Sequence, residues 1–382
     1  MEGEFELTPR QKEVVNYRPE GDLLVKGIPG SGKTLTIVQR AALLSRMDGL
    51  WTSDPEVARV RVFTYNKMLL EWISFLSGRL GEEAPEMTTF HSWARATMKA
   101  MGVRYTPAFD DDGAELLGAI ESGKELPAKS VAHHVLIDEG QDLTPEALQV
   151  LKKSALTSFT IAADKAQNIY PTGFTWKSLG IKVQGRSKSL NPSFRGSKQI
   201  ALLAADIVRH DPAVDSEEWI KQEDGLGDGP VPEIYLYGSW PARDAVISQV
   251  ISEAKSANRR ATIALLHPRA RPVWGIARQF GARILDNDTP DMVSPGVLAS
   301  TIHRAKGLEF DTVVLEDANE GLLPPSESEN GSSEKELEET FRRLFYVAVT
   351  RARRRLVIMC DRTKPSQFIK ELDPQHFVMR EC

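Results

Sequence analysis

The sequence has little cysteine, no long apolar run and no excess of basic residues, and each absence excludes a class of protein. Only two cysteines are present, Cys360 and Cys382; they are too few for a disulfide framework and lack the spacing of a zinc site. The N-terminus MEGEFELTPR has no apolar signal-peptide core, and no run reaches membrane-spanning length. We therefore expect a cytoplasmic protein with no membrane partner.

The charge balance gives no global sign of a nucleic-acid partner. Lys+Arg 48 against Asp+Glu 53 yields a net charge of −5, whereas nucleic-acid-binding domains are commonly basic. The exception is local, because RRLFYVAVTRARRRLVI, residues 342–358, places six arginines around an apolar stretch. Taken alone, this segment favours a solvated basic face or a nucleic-acid patch.

What the sequence does contain is an alternation of short β-rich runs and longer helical patterns. DLLVKG, VRVFTY and HHVLID precede helix-like segments in the first half, and VPEIYLY, ATIALLH and TVVLED repeat the pattern in the second. This order predicts parallel strands joined by crossover helices. We expect two α/β domains, residues 1–185 and 186–382, with the boundary between the run ending at Ile181 and the strand-like SKSL.

A glycine-rich motif predicts a phosphate site. GIPGSGKT, residues 27–34, follows a strand-like run and precedes a helical one, which is the context that the P-loop pattern requires. Backbone N–H groups of such a loop face phosphate oxygens, the lysine reaches the outer phosphates, and the hydroxyl binds Mg²⁺. The candidate ligands are Gly27, Gly30, Gly32, Lys33 and Thr34.

A second motif predicts the metal and the attacking water. HHVLIDEGQDL, residues 133–143, is an apolar strand that ends in carboxylates, where a parallel sheet presents ligands. Asp138 is the candidate Mg²⁺ ligand, and Glu139 is the candidate residue that orients or deprotonates water. A solvated acidic turn is the alternative, and the P-loop in the same chain argues against it.

The order of these motifs resembles that of the UvrD/Rep-type superfamily 1 DNA helicases over nearly the whole chain. The matching segments are LTPRQKEVV, VFTYNKMLLEWI, TTFHSWAR, DEGQD, AADKAQNIY, SFRGSKQI, TIHRAKGLEFDTVVL and YVAVTRA. The resemblance implies two RecA-like P-loop domains with mostly parallel sheets flanked by helices. It also implies ATP and Mg²⁺ as cofactors and single-stranded DNA as the partner.

The resemblance assigns roles around the nucleotide. It implies that Gln11 reads the adenine edge and that Phe194 stacks on adenine. The implied catalytic residues are Lys33, Glu139, Gln167, Arg195 and Arg351. Arg351 would act as an arginine finger, which contributes roughly 10³ to 10⁵ in rate in phosphoryl transfer. Gly307 and Glu309 complete the implied cofactor-binding set.

The resemblance also implies contacts to the strand. They are Thr64, Tyr65, Thr89, Phe90, His91, Trp176, Thr301 and His303. Tyr65 and the neighbouring Trp93 are equally compatible with a core position. The base-stacking role could fall to Phe174 or Trp176.

The remaining arginines of residues 342–358 divide into two groups. Arg342 and Arg343 follow Glu338 and Glu339 on a predicted helix, so we expect ion pairs at the surface. Residues 353–355 precede the last predicted strand and either contact phosphate or lie in a solvated turn.

The chain departs from its relatives by being short. Segments 92–135 and 195–297, where large relatives carry accessory domains, offer no room for such domains. Between RRLVIMC and PSQFI the chain also lacks a duplex-separating hairpin. We expect an ATP-dependent translocase that moves 3′ to 5′ on single-stranded DNA, with weak unaided unwinding and, as a partner, a protein that supplies strand separation or nuclease activity. The alternative is an ATP-gated clamp or adaptor with slow hydrolysis, and an RNA strand is a weaker possibility.

Overall fold

Alternating apolar strands and amphipathic helices build two α/β units. The computed structural model describes residues 7–27, 30–47, 54–64, 85–103, 112–164, 176–190, 196–211, 226–285, 294–326 and 333–382. The described residues up to 164, together with 176–190, form the first unit, and those from 196 onward form the second. Each unit has a parallel sheet flanked by helices, which confirms the predicted fold class.

The first unit contains a six-stranded sheet in the order β3-β2-β4-β5-β1-β6, in which all neighbours are parallel. Its strands are β1 (Gly21–Gly27), β2 (Ala58–Thr64), β3 (Glu86–Thr89), β4 (Ala132–Ile137), β5 (Ala155–Ala163) and β6 (Ser187–Leu190). Its helices are α1 (Pro9–Val15), α2 (Lys33–Arg46), α3 (Phe90–Ala100), α4 (Asp112–Glu121) and α5 (Pro145–Ser154).

The sheet order explains why two distant motifs meet. β1 and β4 both pair with β5, and the whole of β4 is buried. Parallel neighbours end at the same edge of a sheet, so the loop after Gly27 and the turn after Ile137 lie on either side of the end of β5. The P-loop and the DEGQD segment are thereby brought together.

One strand lies on the other side of the expected boundary. The sequence placed SKSL at the start of the second domain, but residues 187–190 form β6 and pair with β1, Leu24 opposite Ser187. The first unit therefore extends beyond residue 185. Strand pairing depends on register with a partner far away in sequence, which a local pattern does not reveal.

The second unit contains a seven-stranded parallel sheet in the order β13-β7-β12-β11-β8-β10-β9. Its strands are β7 (Glu233–Tyr237), β8 (Thr262–His267), β9 (Arg283–Ile284), β10 (Gly296–Thr301), β11 (Phe310–Leu315), β12 (Ala352–Asp361) and β13 (Val378–Glu381). Its helices are α6 (Lys198–Arg209), α7 (Trp240–Ala257), α8 (Val273–Phe280), α9 (Glu334–Val349) and α10 (Gln367–Lys370).

The period-2 alternation of this sheet divides the core into two layers. Ala264 and Leu266 of β8 belong to one cluster with α6 and α9, whereas Ile263 and Leu265 belong to another with α7 and α8. The strands are therefore apolar on both faces, as expected for a parallel sheet covered on both sides.

The two segments that are too short for accessory domains, 92–135 and 195–297, form small elements where the structure describes them. Between α3 and β4 the described residues form α4 and a 3₁₀ turn at Ala128–Ser130. From residue 196 to β10 the described elements are strands and helices of the second unit itself. β12 ends at Asp361 and α10 begins at Gln367, with no hairpin between them. Within the described residues, none of the helices has the length and apolarity needed to span a membrane.

Candidate nucleotide site and strand contacts

The P-loop is held in a conformation that only glycine adopts easily. β1 ends at Gly27 and α2 begins at Lys33, with Gly32 as the N-cap at φ 80°. A Cβ on Gly32 would lie 2.3 Å from Nε2 of Gln11. The left-handed backbone and the close approach of Gln11 both require glycine here. Residues 28 and 29 lie outside the described residues.

The predicted phosphate and metal residues converge beside this loop. Lys33 is 5% exposed, and its Nζ donates to the carbonyl oxygen of Gly27 at 2.9 Å. The hydroxyl of Thr34 donates to Oδ2 of Asp138 at 2.6 Å, joining residues that are 104 positions apart. Burial, and secondarily the charge of Glu139, raises the pKa of the Asp138 carboxyl to about 7. A cation bound at Asp138 would favour the charged carboxylate and so offset the free-energy cost of burying that charge.

The residues present fit a Mg²⁺ ion. Oδ1 of Asp138 is buried and has no hydrogen-bond partner among the described residues, and the same is true of the hydroxyl of Ser31 in the P-loop. Buried polar atoms without partners carry a desolvation cost that a ligand can relieve. Carboxylate and hydroxyl oxygens are the ligands that Mg²⁺ prefers. Thr34 and Asp138 are therefore suited to hold the metal of a bound nucleotide.

Glu139 is positioned by a residue that the sequence analysis missed. Glu139 has φ 53°, a strained backbone for a side chain of this size. Nε2 of Gln141 donates to Oε2 of Glu139 at 2.6 Å, and Oε1 of Gln141 accepts from the backbone N–H of Asp164 at 2.9 Å. Gln141 is 2% exposed. It ties the candidate water-orienting carboxylate to the end of β5.

Gln11 lies against the P-loop. Its Oε1 accepts from the backbone N–H of Thr8 in a capping box, and its Nε2 donates to the carbonyl oxygen of Ser31 at 3.0 Å. The side chain is 4% exposed. In this arrangement Gln11 braces the loop, and its contact with adenine stays a prediction.

A second unpredicted residue, Arg40 of α2, anchors the segment that carries Gln11. Its guanidinium is 1% exposed and donates to Thr160 and to four backbone carbonyls at and beyond the C-terminal end of α1, those of Val14, Val15, Tyr17 and Arg18. Burial lowers the pKa of Arg40 to about 10. The local pattern shows only an arginine within an amphipathic helix, so the signal is absent from the sequence.

In the second unit, the structure brings the AKGLEF and TRA motifs together. The backbone N–H of Phe310 donates to the carbonyl of Arg351 at 2.9 Å, and Nη1 of Arg351 donates to the carbonyl of Leu308 at 3.0 Å. Arg351 is 3% exposed, and its Nε donates to the carbonyl of Val347. Gly307 adopts φ 82° beside these residues. The arginine is therefore held within its own unit.

Arg342 and Arg343 form ion pairs as expected, but they do not lie at the surface. Arg342 pairs with Glu338 as expected, and also with Glu371, but it is 3% exposed and lies over the ring of Phe368 at 4.7 Å. Arg343 is also buried, and pairs with Asp211 at 2.6 Å. Both are core residues rather than surface residues, because neighbouring elements cover the ion pairs.

Residues 353–355 lie inside β12 rather than in a turn before it. Arg353 pairs with Glu309, and Arg355 pairs with Glu233 and Glu253. Glu309, predicted to bind cofactor, is thus engaged in an ion pair on the surface of the second sheet. These pairs supply a structural role for both arginines.

Several predicted strand contacts are buried in the first unit. Phe90 is 2% exposed and packs with Trp93 at a centroid distance of 6.1 Å, so its ring is unavailable for base stacking. Trp93 contacts Phe63 as well, which confirms the alternative core position. Thr89 is the N-cap of α3, where its hydroxyl accepts from the N–H of Ser92.

His91 and Thr64 lie at the same edge of the sheet. Thr64 ends β2, and its buried hydroxyl has no partner among the described residues. His91 is partly exposed, and its Nδ1 lies 3.0 Å from Oδ2 of Asp112, which also accepts from Arg95. Asp112 opens α4 and so orients the imidazole. This contact has no signature in the local sequence.

Trp176 is another correction. It begins a 3₁₀ turn at Trp176–Leu179, is 9% exposed, and belongs to the hydrophobic cluster of the first unit. Its burial leaves little of the ring for a base. The alternative, Phe174, lies outside the described residues, as do Tyr65, Gln167, Phe194 and Arg195.

Thr301 is the last residue of β10 and is 8% exposed, and His303 follows the strand in the second unit. The hydroxyl of Thr301 accepts from the backbone N–H of Arg304 at 3.2 Å, and His303 is exposed in the turn between them. The two residues remain candidates for strand contact.

Comparison with known proteins agrees with this geometry. A family described as an AAA domain matches residues 11–172, which include the P-loop and DEGQD, and the UvrD-like helicase C-terminal domain matches residues 278–363, which include AKGLEF and TRA. Over residues 278–363 the chain is thus similar to the UvrD-like helicases. The two matches lie one in each unit of the structure.

The curated proteins to which the chain is similar are longer than the chain. DNA helicase IV of Escherichia coli is 25% identical over 264 residues, covering 63% of this chain and 35% of the relative. A probable DNA helicase of Mycoplasma pneumoniae is 23% identical, covering 64% and 48%. A probable DNA helicase II homologue of Rickettsia conorii is 40% identical over 113 residues, covering 27% and 17%. The chain thus spans less than half the length of each of these relatives.

Proposed function

We propose that the protein is an ATP-driven motor that moves 3′ to 5′ along single-stranded DNA and unwinds duplex weakly by itself. The observation that carries the proposal is the contact between Thr34 and Asp138, together with the unpartnered Oδ1 of Asp138 beside Lys33. These groups form a magnesium and triphosphate site in the first unit. The proposed substrates are ATP, water and a DNA strand.

Each residue has a role in hydrolysis. Lys33 exchanges its contact with the Gly27 carbonyl for an outer phosphate oxygen, as the P-loop lysine does. Glu139, held by Gln141, orients the attacking water and accepts its proton. Thr34 and Asp138 would hold Mg²⁺, which when bound would supply charge neutralisation for the triphosphate. Gln167, Arg195 and Arg351 are the proposed γ-phosphate contacts.

Weak unwinding follows from what lies between β12 and α10. The described residues there leave five positions, 362–366, and no hairpin. Separating a base-pair step costs about 1.4 kcal/mol on average, and the chain has no wedge at this place to couple movement to that cost. We propose that a protein partner supplies strand separation or nuclease activity. We also propose that the protein acts in the cytoplasm.

A second candidate function is an ATP-gated clamp or adaptor that hydrolyses slowly. One observation favours it: the Arg351 guanidinium donates to Val347 and Leu308 within its own unit and is 3% exposed. An arginine that keeps these bonds has fewer N–H groups to offer a phosphate, which weakens its stabilisation of the developing charge. Turnover would then be slow, since the arginine finger contributes much of the rate.

One set of assays separates the candidates. ATPase rates are measured without nucleic acid, with single-stranded DNA and with single-stranded RNA, and streptavidin displacement is measured from biotin at either strand end. The motor predicts strong stimulation by DNA and displacement from the 5′ end. Tight ATP-dependent binding without displacement would indicate the clamp, and stimulation by RNA alone would replace the proposed substrate.

A further inference from the structure

Two loops leave the second sheet side by side. His267 ends β8 and Thr301 ends β10, and the two residues are register partners. The backbone N–H of Ile302 also donates to the carbonyl of His267 at 3.2 Å. Because parallel strands end at one edge, the segment leading into α8 lies beside the turn that carries the predicted strand contacts Thr301 and His303.

The helix that starts at this edge presents an exposed tryptophan. Trp274 in the first turn of α8 is 75% exposed, the largest value among the described large apolar side chains. The opposite face of α8, formed by Val273, Ile276 and Ala277, is buried against the sheet. Trp274 therefore does not contribute to the core of the second unit, and its ring is open to a ligand.

Two arginines flank this ring. Arg271 precedes α8, and Arg278 lies four residues after Trp274, on the same helical face. Both are exposed, and neither forms a hydrogen bond or an ion pair with a residue that the structure describes. Within the described parts of the chain, both charges therefore have no acidic partner.

Trp240 shows that this arrangement is not general for exposed tryptophans. It is 58% exposed, but Arg243 lies 4.5 Å from its ring centroid and Tyr237 packs against it at 5.7 Å. Arg243 in turn pairs with Glu316 at 3.2 Å. That tryptophan already has partners within its unit.

We propose that Trp274, Arg271 and Arg278 form a stacking platform that extends the strand contact at Thr301 and His303 across the second unit. A base stacks on the indole, and the guanidinium groups contact the neighbouring phosphates, the combination used for sequence-independent single-strand binding. A protein partner fits less well, since interface cores are depleted in charge and rich in apolar area, whereas this patch offers one apolar side chain between two cations. The inference rests on the proposed binding of single-stranded DNA.

The test measures binding of a fluorescent oligothymidylate to the full chain by anisotropy, at several salt concentrations. Trp274→Ala removes the ring and Trp274→Phe keeps an aromatic face. The double variant Arg271→Ala/Arg278→Ala removes the two charges. Its matched control is Arg259→Ala/Arg260→Ala, because these exposed arginines precede β8 and so lie at the opposite edge of the sheet.

We expect Trp274→Ala to weaken binding about 5- to 150-fold, the range for loss of one stacked base, while Trp274→Phe stays within about threefold of the wild type. The double arginine variant makes the negative slope of log affinity against log salt shallower by about 1.4, which is 0.7 for each lost phosphate contact. The control pair keeps the wild-type slope. Melting temperature and ATPase activity without DNA stay unchanged in all four.

Three outcomes overturn the inference, and they differ in meaning. If the wild type binds the oligonucleotide and the Trp274 and arginine variants bind equally well, the platform is wrong and the proposed motor stands. Equal loss in Trp274→Ala and Trp274→Phe likewise excludes stacking. If the wild type itself binds no strand, the proposed function fails together with the platform.

Discussion

Replacing Gln141 with methionine tests whether the glutamine positions the water-orienting carboxylate. Methionine has a similar length and no amide, so the buried site is filled while two hydrogen bonds disappear. One is the 2.6 Å bond to Glu139 and the other is the 2.9 Å bond from the N–H of Asp164. Lys33 and Thr34, the proposed contacts to the triphosphate and its metal, take no part in either bond.

The two bonds set the expected magnitudes. Loss of a bond to a charged group costs about 1.5–3 kcal/mol, and a buried N–H left unpaired costs about 1–3 kcal/mol, so the variant should lose about 3–5 kcal/mol of stability. Misplacing a catalytic group by about 1 Å costs about 100-fold in rate. We expect kcat for ATP to fall about 10- to 100-fold while KM changes less than about twofold, because the phosphate cradle is intact.

The assay is steady-state ATP hydrolysis with saturating single-stranded DNA, at a temperature where chemical denaturation shows the variant folded. Glu139→Gln serves as the reference for complete loss of the carboxylate. A Gln141→Met variant that is folded and keeps kcat within twofold of the wild type would refute the positioning role. A rise in KM without a change in kcat would indicate instead that Gln141 supports nucleotide binding.

Three further predictions concern stability. Arg40→Met leaves four backbone carbonyls without their buried donor and should cost about 3–5 kcal/mol in urea denaturation; a loss below about 1 kcal/mol would contradict the anchoring role. Gly32→Ala should cost about 1–2 kcal/mol because of its left-handed backbone at φ 80°, and should weaken binding of a fluorescent ATP analogue. Burial lowers the pKa of His134 from 6.5 to about 4. As the pH falls, the unfolded chain therefore takes up the proton before the folded one. The free energy of unfolding is full above pH 6.5 and falls toward pH 4, by about 3 kcal/mol at 1.36 kcal/mol per pH unit. His134→Gln should lose less stability than the wild type over this range, and identical pH curves for the two proteins would exclude the histidine as the cause.

The elements around the nucleotide could be predicted because their signals are local. GIPGSGKT and DEGQD each follow a buried strand, and the order of strands in a parallel sheet brings their ends together. The roles of Gln141 and Arg40 could not be predicted in this way. Arg40 contacts Thr160, 120 positions away, and such contacts depend on how the helices pack rather than on a motif.

Burial was the other quantity that motif positions did not reveal. Phe90 and Trp176 occupy segments that resemble strand contacts, yet both rings lie in the core of the first unit. An aromatic side chain carries the same apolar signal whether it packs inward or stacks on a base. The opposite error concerns Arg342 and Arg343, whose helical spacing from Glu338 and Glu339 predicts ion pairs at the surface, whereas they also pair with Glu371 and Asp211 and are buried.

The central claim is that residues of the first unit bind magnesium and ATP and that Glu139 drives hydrolysis. The most direct measurement compares nucleotide affinity and DNA-stimulated ATPase activity in Lys33→Ala, Glu139→Gln and the wild type. The claim predicts that Lys33→Ala loses both, whereas Glu139→Gln keeps affinity near the wild-type value and loses turnover by about 10²- to 10⁴-fold, the contribution of a general base. Wild-type hydrolysis by either variant would contradict it.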